Sequence, residues 1–324
     1  MRLPYVTLDI FTTTPLSAGN PLAVVTVPPA TSLTKAQEYL VAREFNYSET
    51  IFIYTDDDSD VRPRIAIWTT TEELPFAGHP TIGAAWYLAN TGLDRYSGAF
   101  EIQVPAGIIS VSRGDGGRMK VEVPTKISIW DSKIAVRRAR EAVGLLTAVD
   151  NTPDSPGRRE FSASCKDGVP VISLVDGLAF ALIEVPDLDA LGCLSPSGKN
   201  LQLDVVRDLG AATACFIGTY CYVSIDEDVT ARRMSVRTRM FYDGVSEDPA
   251  TGSAACALAS FLAMARGYSG DGGDVEWRVE VTQGVEMERR SEIGVSVTIG
   301  PDGVVKKVVL EGAAVKVMEG SLTV

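Results

Sequence analysis

The sequence predicts an α+β protein of two similar domains, each a mostly antiparallel sheet or barrel rolled around a central helix. The chain of 324 residues exceeds the size at which one hydrophobic core usually suffices. Two segments, ELPFAGHPT at 73–81 and EDPATGSAA at 247–255, align with an offset of 174 residues, and each leads into an alanine-rich apolar run. Fully apolar strands do not alternate with amphipathic helices, which disfavours a doubly wound parallel sheet.

The domain boundaries are predicted at 1–128 and 129–324, with the last strand able to return to the first half. Residues 124–165 form the predicted junction because they contain a loop rich in Pro, Gly and Asp. A helix is predicted at 132–146. Its basic run, RRAR at 137–140, is interpreted as a solvated helix face.

The first half is predicted to form strands where β-branched and aromatic residues stand between turn signals. Thr34 is the predicted N-cap of a helix at 35–45, whose apolar residues approximate one helical face. A second helix is predicted from Gly78 to about residue 90. Because it carries no charge and is apolar on nearly all sides, it is placed inside the domain. The predicted strands lie at 5–11, 22–27, 51–54, 61–68, 100–104, 108–112 and 120–123.

The second half repeats this pattern in outline. A helix is predicted at 201–209, and another, almost free of charge, at 254–264. The tail alternates as β hairpins, with GPDG at 300–303 as a hairpin turn. The predicted strands lie at 169–174, 178–185, 214–223, 234–242, 276–282, 292–299, 304–311 and 314–317.

Composition excludes several classes of partner. The net charge of -12 and the pI of about 4.7 argue against nucleic acid, because phosphate binding needs clustered Lys and Arg. Apolar runs stay shorter than the roughly 18 to 20 residues that span a bilayer, so no membrane partner is expected. The chain starts directly with a strand-like pattern instead of a signal sequence, and a cytoplasmic location is therefore expected.

Neither a metal nor a cofactor is expected. The sequence has one histidine and no CxxC pair, so zinc ligand sets have no recognisable spacing. The glycine patterns that hold nucleotide phosphates are also missing. The cysteines are interpreted as buried free thiols rather than disulfides. They are Cys165, Cys193, Cys215, Cys221 and Cys256.

The starts of the two apolar helices are candidate binding sites. Backbone N–H groups at a helix start lack internal partners and favour an anion such as a carboxylate. Gly78 and Gly252 would let a ligand approach the backbone, and Ser253 adds a hydroxyl donor. The alternative is an ordinary capped helix in each half. The duplication favours the interpretation as an anion site.

Three titratable residues are candidates for acid–base chemistry. His79 lies between a glycine and a proline at a helix entrance, where its pKa is tunable, although a lone histidine is often structural. Glu49 lies in a polar turn before a strand, and the alternative is a surface turn residue. Asp248 lies at a helix start, where it could be only a cap, stabilising by about 0.5 to 2 kcal/mol.

These segments together resemble the PhzF family of phenazine-biosynthesis isomerase-like proteins and, more widely, proteins with the diaminopimelate epimerase-like fold. The resemblance runs from DIF at 9–11 and GNP at 19–21, through NYSET at 46–50 and the two loop segments, to QG at 283–284. It implies two similar domains, each a sheet rolled around a central helix, with the active site between them. It also implies that no cofactor is needed and that the protein forms a homodimer.

The resemblance also implies the roles of individual residues. In the isomerase that names the family, a glutamate of the Ser-Glu-Thr motif moves a proton between carbons of a cyclic dienyl amino acid, and the matching residue is Glu49. The other implied site residues are Ser48, Gly78, His79, Asp248, Gly252 and Ser253. Neither loop contains the cysteines of related epimerases, which disfavours a two-thiol mechanism, and Cys256 is interpreted as a packing residue. MERRS at 287–291 replaces the familiar Met-Gly-Arg-Pro-Ser stretch, so this side of the pocket could differ.

The predicted function is a cofactor-independent isomerase that moves a proton on a small, carboxylated, unsaturated metabolite. Glu49 is the predicted acid–base group, and His79 and Asp248 are predicted to hold or polarise the substrate. Two alternatives stay open at this point. One is a lyase or cyclase of secondary metabolism that uses the same cleft, and the other is a non-catalytic small-molecule binding protein.

Overall fold

The computed structural model describes residues 1–58, 60–130, 168–175, 178–196, 216–242, 246–267 and 272–324. The helices predicted at 132–146 and 201–209 lie outside the described residues, as do Cys165 and Cys215.

The strands and helices predicted within the described residues are present in the predicted order, and four short elements, at 73–74, 128–130, 188–192 and 246–248, were not predicted. The strands are β1 (Arg2–Ile10), β2 (Asn20–Val27), β3 (Thr50–Tyr54), β4 (Arg64–Trp68), β5 (Glu73–Leu74), β6 (Phe100–Val104), β7 (Gly107–Arg113), β8 (Met119–Glu122), β9 (Ser128–Trp130), β10 (Val171–Val175), β11 (Leu178–Glu184), β12 (Phe216–Asp228), β13 (Arg233–Tyr242), β14 (Ser246–Asp248), β15 (Val275–Gln283), β16 (Ser291–Ile299), β17 (Val305–Gly312) and β18 (Ala314–Thr323). The α-helices are α1 (Lys35–Phe45), α2 (Gly78–Ala89), α3 (Leu188–Gly192) and α4 (Gly252–Ala265).

The chain divides into two compact units. The first unit comprises Met1–Pro124, Glu288–Ile293 and Val309–Val324, and the second comprises Thr125–Met287 and Gly294–Val308. In the first unit, β18 pairs antiparallel with β1 along its whole length, from Arg2 opposite Thr323 to Ile10 opposite Ala314. The domain boundaries at 1–128 and 129–324 stay a prediction of how the chain divides into folding domains.

The first unit is a curled sheet with two parallel pairings among antiparallel ones. Strand β1 lies antiparallel to β18 and β2, and β3 lies antiparallel to β4. Strand β2 runs parallel to β3, and β4 runs parallel to β6. Parallel neighbours need a crossover connection, and α1 and α2 lie in the two crossovers. Strands β6, β7 and β8 form an antiparallel run whose last member pairs with the end of β17.

The second unit repeats this topology. Strand β10 lies antiparallel to β11, β11 runs parallel to β12, and β12 lies antiparallel to β13. Strand β13 runs parallel to β15, and α4 lies in the crossover between them. In both units a short hairpin, β4–β5 or β13–β14, leads into the helix. The two helices begin at Gly78 and Gly252, the positions that the offset of 174 aligned. The α+β class with a duplicated unit is therefore confirmed.

The two central helices are buried, as their lack of charge predicted. Ten of the twelve residues of α2 and ten of the fourteen residues of α4 are buried. Helix α2 packs on β1, β2, β3 and β8, and α4 packs on β10, β11 and β15. At Gly83 the backbone of α2 comes so near the sheet that an added Cβ would overlap Leu22 and lie 3.0 Å from the Ile10 Cδ1 atom.

Helix α1 begins and ends where the sequence predicts. Thr34 forms a capping box with Gln37, because its hydroxyl accepts from the Gln37 N–H at 3.3 Å and the Gln37 Oε1 accepts from the Thr34 N–H at 2.9 Å. The helix packs on the sheet over a cluster that includes Val25 and Phe52. Buried Glu38 fixes the contact by accepting hydrogen bonds from the Trp68 indole at 2.9 Å and from a tyrosine hydroxyl.

The largest correction to a strand prediction concerns the last strand. It was predicted at 314–317, whereas β18 continues to Thr323. The second part of β18 is largely exposed, so it lacks the alternation by which a half-buried strand is recognised. Its pairing with β1 forms it instead. Within the described parts of the chain, every helix is too short or too polar to cross a membrane.

Candidate active site

The first predicted loop joins β5 to α2. The N-cap residue Ala77 has no side chain able to accept from the first N–H groups of α2, and His79 in the first turn is only 4% exposed. The Thr81 hydroxyl donates to the Ala77 carbonyl at 2.7 Å, and the helix start has no side-chain cap within the described residues. Helices α1 and α3, in contrast, are capped by Thr34 and Asp187. The start of α2 is therefore suited to an anion.

Glu49 and His79 lie next to each other in the first unit. The Glu49 Oε2 atom is 3.5 Å from the His79 Nε2 atom, and the Glu49 side chain is 17% exposed. Its Oε2 atom is itself buried and makes no hydrogen bond within the described residues. Burial raises the pKa of Glu49 to about 7, against the opposing effect of a hydrogen bond from the Ser48 hydroxyl. Two predicted catalytic residues are thus brought together.

Ser48 is held near a buried asparagine that the sequence analysis did not assign to the site. The Ser48 Oγ atom lies 3.5 Å from the Oδ1 atom of Asn20, which is 1% exposed. The turn before Asn20 requires Gly19, because its φ is +76° and an added Cβ would lie 2.5 Å from the Ile10 carbonyl oxygen. The GNP segment therefore supports the Glu49 turn from the neighbouring strand.

An ion pair between distant parts of the sequence fixes this region. The Asp9 carboxylate accepts from the Arg289 guanidinium at 2.6 Å and from the Leu16 N–H at 2.7 Å. Arg289 also donates to the Gly19 carbonyl at 2.9 Å and to the Leu16 carbonyl at 3.1 Å. Asp9 stands in DIF, a segment that carries the resemblance, whereas Arg289 stands in MERRS, the stretch that departs from the family pattern. Their role in positioning the loop before Asn20 required the structure.

The second predicted loop joins β14 to α4. Thr251, the N-cap of α4, does not cap the helix with its side chain. Its hydroxyl instead donates to the Asp248 Oδ2 atom at 2.5 Å. Gly252 is buried in the first turn, and Ser253 is half-buried. The structure therefore places Asp248, Gly252 and Ser253 together at one helix start in the second unit.

The aligned glutamates of the two loops are structural. Glu73 accepts from the Lys35 ammonium at 2.6 Å, and Glu247 makes a bidentate ion pair with the Arg239 guanidinium at 2.8 and 2.7 Å. Arg239 is 5% exposed and also donates to the Leu191 carbonyl at 3.0 Å, at the end of α3. A cation is favourable at a helix C-terminus. These acids anchor each hairpin to its unit.

The cysteines of the described residues are free. Cys221 and Cys256 are buried as predicted, and burial raises the pKa of the Cys256 thiol well above its usual value, which keeps it protonated and inert. The prediction of burial is wrong for Cys193, which is exposed because it follows the short helix α3 at the surface. Among the described residues, His, Cys, Asp and Glu side chains do not gather in groups of three that could hold a metal ion.

The chain is similar to known proteins in sequence and in fold. The model of the PhzC-PhzF family, described as phenazine biosynthesis-like protein, matches residues 8–320. The chain belongs to this family. An uncharacterized isomerase of Mesorhizobium japonicum is 32% identical over 323 residues, which cover 98% of each chain. The trans-2,3-dihydro-3-hydroxyanthranilate isomerase of Pseudomonas fluorescens is 33% identical over 298 residues, which cover 89% of this chain and 87% of the relative.

A solved structure shows the same fold. The PhzF family phenazine biosynthesis protein of Bacillus anthracis has a TM-score of 0.74 and 21% sequence identity, and the match covers 100% of both chains. The predicted resemblance to the PhzF family, the fold and the enzyme class are thereby confirmed. This PhzC-PhzF family member is an isomerase.

Proposed function

We propose that this isomerase moves a proton between two carbons of its substrate with Glu49 as the single acid–base group, without a cofactor. The observation that supports this proposal best is the buried Glu49 carboxyl, whose pKa is raised to about 7 beside His79. A general acid–base works best when its pKa lies near the operating pH, because both protonation states are then accessible. Burial of the carboxyl would bring no benefit to a glutamate that had only a structural role in the turn.

The proposed reaction conserves every atom. The Glu49 carboxylate removes a proton from a C–H bond next to a double bond, and the electron pair of that bond shifts along the conjugated system. The Glu49 carboxylic acid then returns the same proton to another carbon. One group therefore serves as base and then as acid. The burial of Glu49 Oε2 favours return of the abstracted proton over exchange with water.

The other predicted site residues assist Glu49 in this proposal. His79 lies close enough to the carboxyl to act on the same part of the substrate, where it stabilises developing negative charge. The start of α2 at Gly78 offers N–H groups to a substrate carboxylate. Ser48 moderates the pKa of Glu49 through its hydroxyl. Asp248, Gly252 and Ser253, at the start of α4, are proposed as further contacts with the substrate.

The proposed substrate class is a small, unsaturated carboxylic acid. The relative from Pseudomonas fluorescens acts on trans-2,3-dihydro-3-hydroxyanthranilate, an unsaturated ring that carries carboxylate, amino and hydroxyl groups. The uncapped starts of α2 and α4 suit the carboxylate of such a molecule. Asp248 suits the amino or the hydroxyl group.

The test is turnover of trans-2,3-dihydro-3-hydroxyanthranilate by the purified chain, followed by NMR and mass spectrometry in H2O and D2O. We expect a product of unchanged mass in H2O, and kcat/KM should fall about tenfold per pH unit below pH 7 as Glu49 becomes protonated. Glu49→Gln should lower kcat by about 10²- to 10⁴-fold. Glu44→Gln, on the exposed face of α1, is the matched control and should keep full activity.

Two results would contradict this proposal. A Glu49→Gln variant with wild-type turnover would remove the glutamate from the mechanism. Loss of water or ammonia from the substrate would show a lyase instead of an isomerase.

A further inference from the structure

We propose that Gln283 and Thr251 are positioning residues that hold the Asp248 carboxylate in one orientation as a hydrogen-bond acceptor. This inference rests on the proposed function, in which Asp248 contacts the substrate. Neither residue is assigned a contact with the substrate. They act on the reaction only through Asp248.

Gln283 connects the loop before α4 to the buried end of β15. Its side chain is fully buried, and its Nε2 atom donates to the Asp248 carbonyl at 2.7 Å and to the Thr251 hydroxyl at 3.1 Å. Its Oε1 atom accepts from the Thr251 N–H at 3.1 Å and from the Tyr220 hydroxyl at 2.9 Å. One amide thus makes four hydrogen bonds, and three of them hold the segment from Asp248 to Thr251.

The direction of each hydrogen bond in this network is determined. The Thr238 hydroxyl donates to the Tyr220 hydroxyl at 2.9 Å, so the single proton of Tyr220 is available to the Gln283 Oε1 atom. This fixes which end of the Gln283 amide is the donor. The Thr251 hydroxyl accepts from that donor, and its own proton therefore points to the Asp248 Oδ2 atom at 2.5 Å. The network ends with a hydroxyl donor aimed at the Asp248 carboxyl group, and such a donor stabilises the charged form of a carboxylate.

The neighbouring titratable groups of the second unit do not replace this effect. Tyr220 on β12 interacts with Asp248 and with Cys256 of α4. Burial raises the pKa of Tyr220 and of Cys256, so both groups stay uncharged at neutral pH. Glu247, the residue before Asp248, is paired with Arg239 of β13. The Thr251 hydroxyl is a donor aimed directly at the Asp248 carboxylate.

The duplicated loop shows that this network is not needed to build the helix start. At the offset of 174, Asp248 and Thr251 fall on Leu74 and Ala77, neither of which can form it. Helix α2 nevertheless begins at Gly78 after the same kind of hairpin. A network that the fold does not require, and that ends on a predicted catalytic carboxylate, indicates a role in the reaction.

The experiment compares Thr251→Val with Thr251→Ser, which keeps the hydroxyl, and with Gln283→Leu. Chains carrying aspartate labelled with ¹³C at Cγ are titrated by NMR, and the Asp248 signal is assigned by its loss in Asp248→Asn. We expect Thr251→Val and Gln283→Leu to raise the pKa of Asp248 by about one, because a donor to the charged carboxylate is lost or misplaced. Thr251→Ser should restore the wild-type value. Thr7→Val, in the first unit, is the matched control, since the buried Thr7 hydroxyl makes no hydrogen bond within the described residues.

Turnover of trans-2,3-dihydro-3-hydroxyanthranilate gives the second measurement. Thr251→Val should lower kcat/KM by about tenfold or more, and Thr251→Ser should recover most of it. An Asp248 titration that is the same in all variants would overturn the positioning role, even if the wild-type chain is active. A wild-type chain that does not turn over this substrate would contradict the proposed substrate class instead, and the titration would still test the network.

Discussion

Glu49 follows a polar turn and precedes β3, a place where a carboxylate is ordinarily exposed. Its identity as an acid–base candidate depended on the Ser-Glu-Thr motif. The structure supports the proposed role physically, since the Oε2 atom is buried near His79 and desolvation raises the pKa of the carboxyl to about 7. The proposed reactivity of this residue therefore depends on its surroundings.

The raised pKa of Glu49 predicts a pH-dependent stability. The folded state binds the Glu49 proton more tightly than the unfolded state, so this contribution to stability is fully present below about pH 4.5 and is lost as the pH rises through about 7. Glu49→Gln removes the ionised form. We expect this variant to be more stable than wild type at pH 8 by on the order of 3 kcal/mol, and nearly equal to it at pH 4. Urea unfolding at both pH values measures the difference.

Glu319 provides a control, because its contribution to stability changes with pH in the opposite direction to that of Glu49. The hydrogen bond and charge of the Lys316 ammonium, at 2.6 Å, hold the pKa of Glu319 below its usual value. Its contribution to stability is therefore present at neutral pH and lost as the pH falls. Glu319→Gln should cost a little stability at pH 7 and none at low pH. A Glu49→Gln difference that does not change with pH would contradict the burial of the charge.

Glu288 is a second residue whose conformation matters. Its φ is +56°, in the left-handed region, and it stands where the familiar Met-Gly-Arg-Pro-Ser stretch has glycine. A residue other than glycine in this conformation costs roughly 1–2 kcal/mol relative to glycine. This cost is partly offset because glycine loses more conformational entropy on folding. We expect Glu288→Gly to stabilise the chain by about 0.5–1 kcal/mol, measured by the unfolding midpoint.

The matched control for Glu288→Gly is Glu276→Gly in β15. Glycine in a strand interior costs roughly 0.5–1 kcal/mol, so this change should destabilise the chain. Loss of stability in both variants would show that the left-handed conformation at residue 288 carries no strain. The MERRS segment thus departs from the family pattern at Glu288 and Arg290, while Arg289 keeps its ion pair with Asp9.

At the scale of elements, the helices fall into two classes. Helices α1 and α3 begin at side-chain caps, whereas α2 and α4 begin at glycines without them. Capping by Ser, Thr, Asp or Asn typically contributes about 0.5–2 kcal/mol, so omission of a cap has a cost. The buried faces of α2 and α4 supply stability in its place. The starts of these two helices are the proposed contacts with the substrate.

The fit of α2 against the sheet predicts the effect of a single methyl group. An added Cβ at Gly83 would overlap Leu22 and lie 3.0 Å from Ile10 Cδ1, and both neighbours are fully buried. Overpacking of a core typically costs about 1–3 kcal/mol. We expect Gly83→Ala to destabilise the chain by this amount in denaturant unfolding.

Gly98 is the control for Gly83, since an added Cβ there would have no neighbour within 4 Å. Gly98→Ala should change the free energy of unfolding by less than about 1 kcal/mol. Equal effects at the two positions would contradict the close approach of α2 to the sheet. The all-apolar pattern of α2 predicted its burial, but the need for glycine at residue 83 follows only from the position of β1 and β2.

At the scale of the whole molecule, duplication produced two units with the same topology and different chemistry. Both units place a helix in the crossover between two parallel strands, after a short hairpin. Asp248 and Thr251 have no polar counterparts at Leu74 and Ala77, and Glu49, the proposed acid–base residue, precedes the first loop. The repeated elements therefore specify the framework, and unrepeated residues specify the proposed reaction.

The sequence by itself determined the class of elements and their order, because helix and strand patterns depend on near neighbours in the chain. The N-cap at Thr34, the apolar helix after Gly78 and the duplicated loops are all local signals. The segments that carry the resemblance to the PhzF family also sufficed to indicate the enzyme class. These predictions needed no knowledge of which residues meet in space.

Only the tertiary structure decided which residues meet. It joined Asp9 to Arg289, paired β18 with β1, and placed Gln283 under the loop at Asp248. Such contacts depend on the register of strands that are far apart in the chain, and register follows from the packing of the whole unit. Burial is likewise a collective property. The sequence therefore indicated Glu49 as a candidate residue but did not predict its raised pKa.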